Sequence, residues 1–391
     1  MRFLTAGESH GPLLTGILDG IPAGLPLTSA DVDADLMRRQ QGYGRGGRMS
    51  IEKDHVRFSA GVVAGQTTGA PISLLVENRD YKNWSEKVME PMTIPRPGHA
   101  DLTGAVKYGY RELRLSLERA SARETTMRVA VGAVCKKLLG EFGVTVQGYV
   151  TAIGPVVADL PSTEDYPARF EAAEASDVRC PDPAATERMH AAIHDAIQAK
   201  DTLGGIVEVA AIGVPPGLGS HVHYDRKLDG QLMGAVGSIH AIKGVEIGEA
   251  FAQALMPGTK VHDPILLRDG ALYRSSNRAG GLEGGITTGE PVIVRAAMKP
   301  IATTLNPLPS VDLAAGAPRD IEYERSDFCA VPRAVVVVEA MVAIVLAAAL
   351  LEKLGGDSME ELRPRFAALR RNLLEDLPMD NQPWQFNYDY A

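Results

Sequence analysis

Residues 334–351 read AVVVVEAMVAIVLAAALL, a stretch that is apolar except for Glu339. Pro332 precedes this stretch and Gly355-Gly356 follows it, and these residue types commonly begin and end helices. The uninterrupted apolar part covers only residues 340–351, whereas a helix that crosses a membrane needs about 20 apolar residues. The sequence therefore predicts a helix buried in the protein core, and we expect no membrane partner.

The composition limits the possible functions. The chain has 391 residues, with 40 Lys and Arg against 49 Asp and Glu and a formal net charge of −9. This acidic balance argues against a general nucleic-acid-binding protein. The three cysteines form no C-x-x-C pair, and the histidine pairs His221/His223 and His190/His194 lack further ligands in evident positions. With no signal-peptide-like stretch at the N-terminus, we expect a cytoplasmic protein without disulfides or a metal site.

Hydrophobic periodicity and turn residues predict a mixture of helices and strands. Helices are predicted at 28–39, where Asp31 can complete an N-terminal cap, and at 121–142. Residues 160–200 are predicted as a helical insertion and residues 356–391 as a loose charged tail that contains a surface helix, on a single domain of the α/β (α+β) class. Strands are predicted at 1–6, 56–63, 71–76, 206–212 and 291–296.

One short sequence occurs twice along the chain. Thr67-Thr-Gly-Ala-Pro71 and Thr287-Thr-Gly-Glu-Pro291 both lead into a predicted strand. A recurring turn-into-strand unit favours a β-layered architecture with internally pseudo-repeated layers, although a match of this length also occurs by chance.

A glycine-rich segment matches a nucleotide-binding motif without its usual context. Gly42-Tyr-Gly-Arg-Gly-Gly47 fits G-x-G-x-x-G, but it follows a helix-like segment and leads into a strand, so we reject the Rossmann interpretation. Four arginines lie in and beside it, namely Arg38, Arg39, Arg45 and Arg48. Their guanidinium groups suit phosphates and carboxylates, and a solvated basic loop is the alternative interpretation.

The N-terminal turn Gly7-Glu-Ser-His-Gly11 matches the G-x-S-x-G motif of serine hydrolases. In those enzymes the serine follows several strands of the sheet, whereas Ser9 follows a single predicted strand, and this order weakens the match. The turn leaves His10 at a strand end, where an imidazole can act as a general acid or can simply belong to the turn.

The start of the second predicted helix is a candidate anion-binding site. Ser121 and Glu124 form a predicted capping box, and Arg119 and Arg123 flank it. Ordinary capping with solvent-exposed arginines is the alternative.

Three other segments carry candidate residues. His99 lies in the turn Arg96-Pro-Gly-His-Ala-Asp101, and the glycine-dense loop 275–289 would let a ligand approach backbone N–H groups closely. Asp327 precedes the buried helix, as a base tuned by its surroundings or as a helix-start acid.

Taken together, the motifs resemble those of chorismate synthases, in the same order along the chain, from the first residues to the helix near residue 350. The resemblance implies a β-α-β sandwich fold and a homotetramer. It also implies the conversion of 5-enolpyruvylshikimate 3-phosphate to chorismate and phosphate, a 1,4-elimination in aromatic amino acid biosynthesis that requires reduced FMN. The motifs are Gly7-Glu-Ser-His-Gly-Pro12, Arg39-x5-Arg45-Gly-Gly-Arg48, Arg96-Pro-Gly-His-Ala-Asp101, Glu118-Arg-Ala-Ser-Ala-Arg-Glu-Thr125, Lys243-Gly-Val-Glu-Ile-Gly248 and Arg325-Ser-Asp327.

The resemblance further implies roles for individual residues. His10 would protonate the departing phosphate, His99 would supply or hold a proton of the reduced flavin, and Asp327 would take part in removing the ring proton. The expected substrate-binding residues are Arg39, Arg45, Arg48, Arg96, Ser121, Arg123 and Arg325, of which Arg39 and Arg45 are also expected NADP contacts. The expected FMN contacts are Arg119, Ala120, Ser121, His240, Ala241, Gly284, Lys299, Pro300, Ile301, Ala302, Thr303 and Arg325.

One of these positions departs from the family pattern. His240 occupies a position where the resemblance leads us to expect Asn or Gln. Because an imidazole can still donate a hydrogen bond to a flavin or phosphate oxygen, we expect FMN binding to survive with an altered pH dependence.

Three other classes of protein stay open on sequence grounds. They are a serine hydrolase built on Ser9, a flavin oxidoreductase with net hydride transfer, and a non-catalytic anion-binding protein. The sequence shows neither an appended reductase domain nor an acceptable Rossmann fingerprint. We therefore favour a separate flavin reductase over an intrinsic NADPH-driven activity as the source of reduced FMN.

Overall fold

The apolar stretch around Glu339 forms a helix at Val331–Leu354 in the computed structural model, which describes residues 1–44, 53–161, 165–322 and 326–386. Pro332 lies in the first turn of this helix and Gly355 caps its end. In the described part of the chain, it is the one helix long and apolar enough to cross a membrane. However, 19 of its 24 residues are buried against other elements of the protein, and the prediction of a core helix is confirmed.

The described residues form eleven helices and seventeen strands. The helices are α1 (Ser29–Gln40), α2 (Asp101–Tyr108), α3 (Arg114–Ala120), α4 (Thr125–Gly140), α5 (Tyr166–Ala175), α6 (Pro183–Gln198), α7 (Leu228–Gly237), α8 (Ala250–Gln253), α9 (Gly258–Val261), α10 (Val331–Leu354) and α11 (Met359–Ala367). The strands are β1 (Arg2–Ala6), β2 (Leu13–Asp19), β3 (Val56–Ala60), β4 (Val62–Val63), β5 (Gln66–Thr67), β6 (Ile72–Glu77), β7 (Thr145–Ile153), β8 (Val156–Val157), β9 (Gly205–Ile212), β10 (Ile242–Ile247), β11 (Ile265–Arg268), β12 (Ala271–Arg274), β13 (Leu282–Glu283), β14 (Ile286–Thr287), β15 (Val292–Met298), β16 (Pro309–Asp312) and β17 (Ala317–Asp320).

Two antiparallel sheets enclose a layer of helices. The first sheet has the strand order β1-β2-β6-β3 and the second β10-β15-β9-β7-β8. Helix α4 packs on the first sheet and α10 on the second, and the two helices pack against each other. Gly132 permits their close approach, because a Cβ atom there would lie 2.3 Å from Ala340 Cβ. The β-α-β sandwich of the α+β class is therefore confirmed.

The two halves of the chain share one topology. Without its outer strand β8, the second sheet has the order β7-β9-β15-β10, which matches β1-β2-β6-β3. Helix α1 joins β2 to β3 as α7 joins β9 to β10, and α4 follows β6 as α10 follows β15. The second half replaces the short turn 7–12 with residues 154–204, which contain β8, α5 and α6 where we predicted a helical insertion.

Equivalent hydrogen bonds join the two copies of the repeated sequence to equivalent turns. The Thr67 hydroxyl donates to a carbonyl of segment 22–25 and accepts an N–H group from it, over 2.6 and 3.0 Å. The Thr287 hydroxyl makes the same pair of bonds to segment 215–218, over 2.7 and 2.8 Å. These two segments read PAGL and PPGL and are a second sequence echo. The echo in the sequence therefore marks a true structural repeat.

The C-terminal region departs from the predicted loose tail. Met359 and Leu362 of α11 are buried, Ser358 pairs with Ala23, and Leu373 pairs with Ala271. The prediction of a loose tail is therefore wrong for residues 358–373, because apolar side chains of α11 pack against the domain.

Glu339, the one charged residue in the apolar run, is fully buried and is hydrogen-bonded to three other elements. Its carboxylate accepts from Arg38 Nη1 and Nη2 of α1 (2.7 and 2.9 Å), from Lys136 Nζ of α4 (2.5 Å) and from the Gly148 N–H of β7 (2.9 Å). Burial alone would raise the pKa of Glu339, but Lys136 and Arg38 lower it to about 2. An ionised carboxylate thus joins α10 to both halves of the chain.

We expect Glu339→Gln to lower the free energy of unfolding at pH 7 by about 1–3 kcal/mol, because Arg38 and Lys136 lose their fully buried carboxylate and keep only the more exposed Asp35 and Glu174. Urea-induced unfolding measures the loss. The exposed Glu187→Gln change on α6 is the matched control and should alter stability by less than about 0.5 kcal/mol.

The difference between wild type and Glu339→Gln should also depend on pH. The pKa of Glu339 is about 2 in the folded protein against an ordinary value of 4.5. Its contribution to stability is therefore complete above about pH 4.5 and is lost as the pH falls towards 2. A difference in stability that stayed constant over this range would contradict the assignment.

Because the two threonines are equivalent, Thr67→Val and Thr287→Val should each cost about 1–3 kcal/mol, since each leaves a buried N–H and a carbonyl without a partner. Thermal or urea unfolding compares them, with the exposed Thr68→Val as control. A loss at only one of the two sites would show that the turns are not energetically equivalent.

Candidate active site

The candidate residues lie in loops at corresponding edges of the two sheets. Register places the start of β2 beside the end of β6, and the starts of β9 and β10 beside the end of β15. Hydrogen bonds connect the two halves at these edges: Lys299 Nζ donates to the Gly98 carbonyl (3.1 Å), and Arg128 Nη1, in the first turn of α4, donates to Ser238 Oγ (2.7 Å). The candidate site therefore lies where the two repeats meet. Its described segments are 7–12, 41–44, 53–55 and 78–124 from the first half, and 238–241, 299–322 and 326–330 from the second.

His10 is fixed by a carboxylate and an indole. Its Nδ1 lies 2.6 Å from Glu118 Oε1, and its backbone N–H donates to Glu118 Oε2 (2.7 Å). The Trp84 ring lies against the imidazole with a centroid distance of 4.0 Å. Burial alone would raise the pKa of Glu118, but the hydrogen bonds from His10 lower it. Sequence analysis assigned no role to Glu118 or Trp84.

Ser9 lies in an arrangement that differs from that of a serine hydrolase. The turn that carries it joins β1 to β2, whereas a nucleophile elbow joins a strand to a helix. Ser9 is buried and its Oγ accepts a hydrogen bond from Ser121 Oγ (3.2 Å). The hydrolase interpretation is therefore not supported.

The start of α4 differs in detail from the predicted capping box. The helix begins at Thr125 after a 3₁₀ turn at residues 122–124, and Ser121 Oγ accepts the Arg123 N–H (3.3 Å). Glu124 bonds Thr5 and Arg128 instead of closing the box. The helix therefore starts later than the predicted 121–142, because Glu124 contacts neighbouring elements instead of capping the helix.

Two predicted substrate arginines are buried and share one carboxylate. Arg123 Nη1 donates to both oxygens of Asp54 (2.8 and 2.7 Å), and Arg39 Nη1 lies 3.8 Å from the same group. Arg39 also donates to the Ala122 carbonyl (2.9 Å). Each arginine is only 8% exposed. The alternative of solvent-exposed arginines therefore does not hold for Arg123, and that of a solvated basic loop does not hold for Arg39.

Arg96, His99 and Asp101 form one hydrogen-bonded group, as their common turn predicts. The fully buried Asp101 accepts from Arg96 Nε (2.7 Å) and lies 2.6 Å from His99 Nδ1. Burial alone would raise the pKa of Asp101, but the hydrogen bonds from His99 and Arg96 hold it well below its ordinary range. Arg96 also reaches Thr303 Oγ1 (3.5 Å), which places the 299–303 segment beside this group.

His240 from the second half faces the start of α4 from the first. Its Nδ1 lies 3.9 Å from Glu124 Oε2. Burial lowers the pKa of His240, whereas the charge of Glu124 raises it. The nearby Arg128 and Arg119 lower the pKa of His240 further.

The predicted FMN-binding positions fall into two groups in the structure. Arg119 donates to the carbonyls of Thr5 and Gly7 over 2.8 and 3.3 Å, and its side chain stays 44% exposed. The Lys299 N–H donates to the Ala241 carbonyl (3.0 Å), so the segments that carry His240 and residues 299–303 are adjacent. Arg119, Ala120 and Ser121 form the other group, at the end of α3.

The remaining predicted residues are Asp327, Gly284 and three positions outside the described residues. Asp327 forms an ion pair with Arg333, and the Phe328 N–H donates to the Gly44 carbonyl (3.0 Å). A Cβ atom built on Gly284 would meet only His221 within 4 Å, so this loop lies by His221 instead of the 299–303 segment. Three predicted positions, Arg45, Arg48 and Arg325, lie outside the described residues.

The described residues contain no group of three or more side chains that could hold a metal ion. The His223 and Asp225 pair (2.7 Å) is exposed, and His190 pairs with Asp177. These histidines are surface residues, as predicted.

Comparison with known proteins gives consistent results. A family model for chorismate synthase matches residues 1–351. The chain is 55% identical to the chorismate synthase of Trichlorobacter lovleyi over 380 residues, which cover 93% of this chain and 97% of the relative. It is 53% identical to that of Thermus thermophilus over 384 residues, covering 95% and 99%. A crystal structure of chorismate synthase is similar with a TM-score of 0.78 and 45% identity, covering 94% of this chain and 96% of that one.

The surroundings of His240 predict its titration. We expect NMR titration to give His240 a pKa below 6.5, and Glu124→Gln to lower it further by removing the charge that raises it. The exposed Glu187→Gln change should leave this titration unaltered. A pKa of 6.5 or more, or a rise in the Glu124→Gln variant, would contradict the assigned surroundings.

Proposed function

The chain belongs to the chorismate synthase family of shikimate-pathway enzymes, and we propose that it converts 5-enolpyruvylshikimate 3-phosphate to chorismate and phosphate with reduced FMN. In this 1,4-elimination the C–O bond to phosphate and a ring C–H bond break, and a new C=C bond forms. The carbon skeleton keeps its oxidation level overall. The proposed class is therefore a carbon–oxygen lyase that acts on a phosphate.

The observation that carries this proposal is the cluster of cationic and imidazole side chains where the repeats meet. Arg119, His99 and His240 lie close enough for the first two to lower the pKa of the third. Lys299 adds a charge next to Gly98. The substrate bears one phosphate and two carboxylates, so a locally positive site in a chain of net charge −9 fits it.

His10 is the group we assign to the leaving phosphate. Phosphate departs poorly as a fully charged anion, and a proton donated as the C–O bond breaks offsets that charge. The hydrogen bonds of Glu118 to the ring and backbone of His10 fix this donor in one orientation. Ser9 and Ser121, whose hydroxyl groups are hydrogen-bonded to each other, would orient the substrate.

The buried arginines would bind a substrate differently from arginines that have no carboxylate partner. Arg39, Arg96 and Arg123 are each paired with a carboxylate, so their guanidinium groups are held in place before any ligand arrives. A fixed guanidinium group can add a hydrogen bond to a substrate oxygen at little cost in side-chain entropy. We propose that they shape the substrate pocket, with Arg45, Arg48 and Arg325 as further contacts.

The residues around His240 fit a flavin phosphate or ring. His240 Nδ1 is buried with no hydrogen-bond partner in the described part of the chain, and an oxygen of FMN could supply one. Arg119, Ala120, Ser121, Ala241 and the 299–303 segment would bind FMN beside it. Bound reduced FMN would lend electron density to the substrate during the elimination. Of the chain's own residues, His99 would hold a proton towards the cofactor and Asp327 would accept the ring proton.

We also propose a homotetramer, supported by exposed apolar side chains. Phe251 and Leu255 near α8 are 72% and 89% exposed, and Ile265 and Leu267 of β11 are 60% and 57% exposed. Such clusters commonly mark protein contacts.

A separate reductase would supply reduced FMN, because Arg39, one of the two expected NADP contacts, is buried against Ala122 and Asp54.

Anaerobic incubation with 5-enolpyruvylshikimate 3-phosphate and reduced FMN tests the function. We expect phosphate and chorismate in equal amounts. Binding of the substrate without phosphate release would indicate an anion-binding protein. An organic product of altered oxidation state would indicate a flavin oxidoreductase.

In the same assay, His10→Ala should lower kcat by about 10²–10⁴-fold, because the leaving phosphate loses its proton donor. FMN binding, followed by flavin fluorescence, should stay near that of wild type. His223→Ala is the matched control, because His223 is an exposed turn histidine that, like His10, is paired with a carboxylate. This variant should keep full activity. Near-normal turnover by His10→Ala would remove His10 from the proposed mechanism.

A further inference from the structure

Glu118, at the end of α3, contacts His10 at two atoms. Its Oε2 accepts the His10 backbone N–H (2.7 Å), and its Oε1 lies 2.6 Å from His10 Nδ1. The backbone carbonyl of Glu118 also accepts the Ser9 N–H (3.1 Å). The side chains of His10 and Glu118 are 17% and 15% exposed, so water competes little for these bonds. One residue therefore fixes both the backbone and the ring of the turn that carries His10.

The protonation state of Glu118 determines which nitrogen of His10 carries a proton. Burial alone would raise the pKa of Glu118, but hydrogen bonds from His10 and the charge of Arg114 lower it. An ionised carboxylate has no proton to donate, so Nδ1 of His10 must be the donor in the 2.6 Å contact. The second ring nitrogen, Nε2, is then the atom that can exchange a proton with a ligand.

Trp84 restricts the same ring from its face. The two ring planes are inclined by 40° at a centroid distance of 4.0 Å. The Trp84 indole N–H donates to Asp80 Oδ2 (2.9 Å), which fixes the indole in turn. His10 is thus restrained at its edge by Glu118 and at its face by Trp84.

We propose that Glu118 is a positioning residue for proton transfer, which binds the Nδ1–H of His10 and thereby reserves Nε2 for the leaving phosphate. The inference rests on the proposed function and deepens it. As the C–O bond breaks, its electron pair leaves with the phosphate oxygen, which takes the Nε2 proton of the imidazolium. His10 is left neutral with its proton on Nδ1, still bonded to Glu118. Removal of Glu118 lets the neutral ring place its proton on Nε2 instead.

The first test needs neither substrate nor flavin. In the full chain labelled with ¹⁵N-histidine, the His10 signals are assigned by their loss in His10→Ala. We expect the neutral His10 ring to be protonated on Nδ1 in wild type, and the proton to move towards Nε2 in Glu118→Ala. An unprotonated Nδ1 in wild type, or unchanged signals in Glu118→Ala, would overturn the proposal. This result stands even if the wild-type protein forms no chorismate, so the two proposals can fail separately.

The second test is a double-mutant cycle on kcat. Glu118→Ala should lower kcat by about 10–100-fold with KM changed less than about threefold, as for other carboxylates that orient an imidazole. In the His10→Ala background the same change should cost less than about twofold, because Glu118 acts through His10. An equal loss in both backgrounds would show that Glu118 acts independently of His10.

Two further variants control for loss of folding. Glu118→Gln keeps the side-chain volume and one acceptor oxygen, which can serve only one of the two N–H groups of His10, so kcat should fall less than in Glu118→Ala. Wild-type kcat and wild-type ¹⁵N signals in Glu118→Gln would contradict the proposal. Glu112→Gln is the matched control, because Glu112 likewise accepts two backbone N–H groups, from Met92 and Arg114. It should leave kcat and the His10 signals unchanged.

Discussion

The buried carboxylate of Glu339 is the contact on which the arrangement of the two repeats depends. It lies on the central helix of the second repeat and accepts hydrogen bonds from Arg38 and Lys136 of the first. Next to it on α10, Ala340 meets Gly132 of α4 at a distance that leaves no room for a side chain. A charged group in this position costs desolvation free energy unless all of its partners are in place. The relative position of α1, α4 and α10 is therefore closely specified.

This constraint reaches the candidate site through neighbouring residues. Arg39 follows Arg38 on α1 and donates to the Ala122 carbonyl just before α4. His240, at the end of α7 in the second repeat, faces Glu124 in the same turn region. Because the loops of the two repeats meet only when α4 and α10 are correctly packed, the helical layer sets the distance between the His10 turn and the 299–303 segment.

Local patterns predicted much of this fold. The cap of α1 by Thr28 and Asp31, the core helix at α10 and the main strands follow from periodicity and capping signals within a few residues. The repeat was predicted only from the two TTGxP segments, because the matching PAGL and PPGL turns are short and lie far from them along the chain. The C-terminal helix was expected on the surface and its packing was missed, since its charged residues conceal two buried apolar positions.

The candidate site was less predictable, because its contacts join distant parts of the chain. Motifs identified His10 and Arg123, but not their partners Glu118 and Asp54, which are 108 and 69 residues away. The sequence also predicted Arg39, Arg96 and Arg123 as substrate-binding residues, without showing that each is paired with a buried carboxylate. Pairing reduces the net positive charge that an anion meets but fixes the donors in place. Among the described residues, the attraction for the proposed multiply charged ligand would therefore come mainly from Arg119 and Lys299, while the paired arginines would determine its orientation.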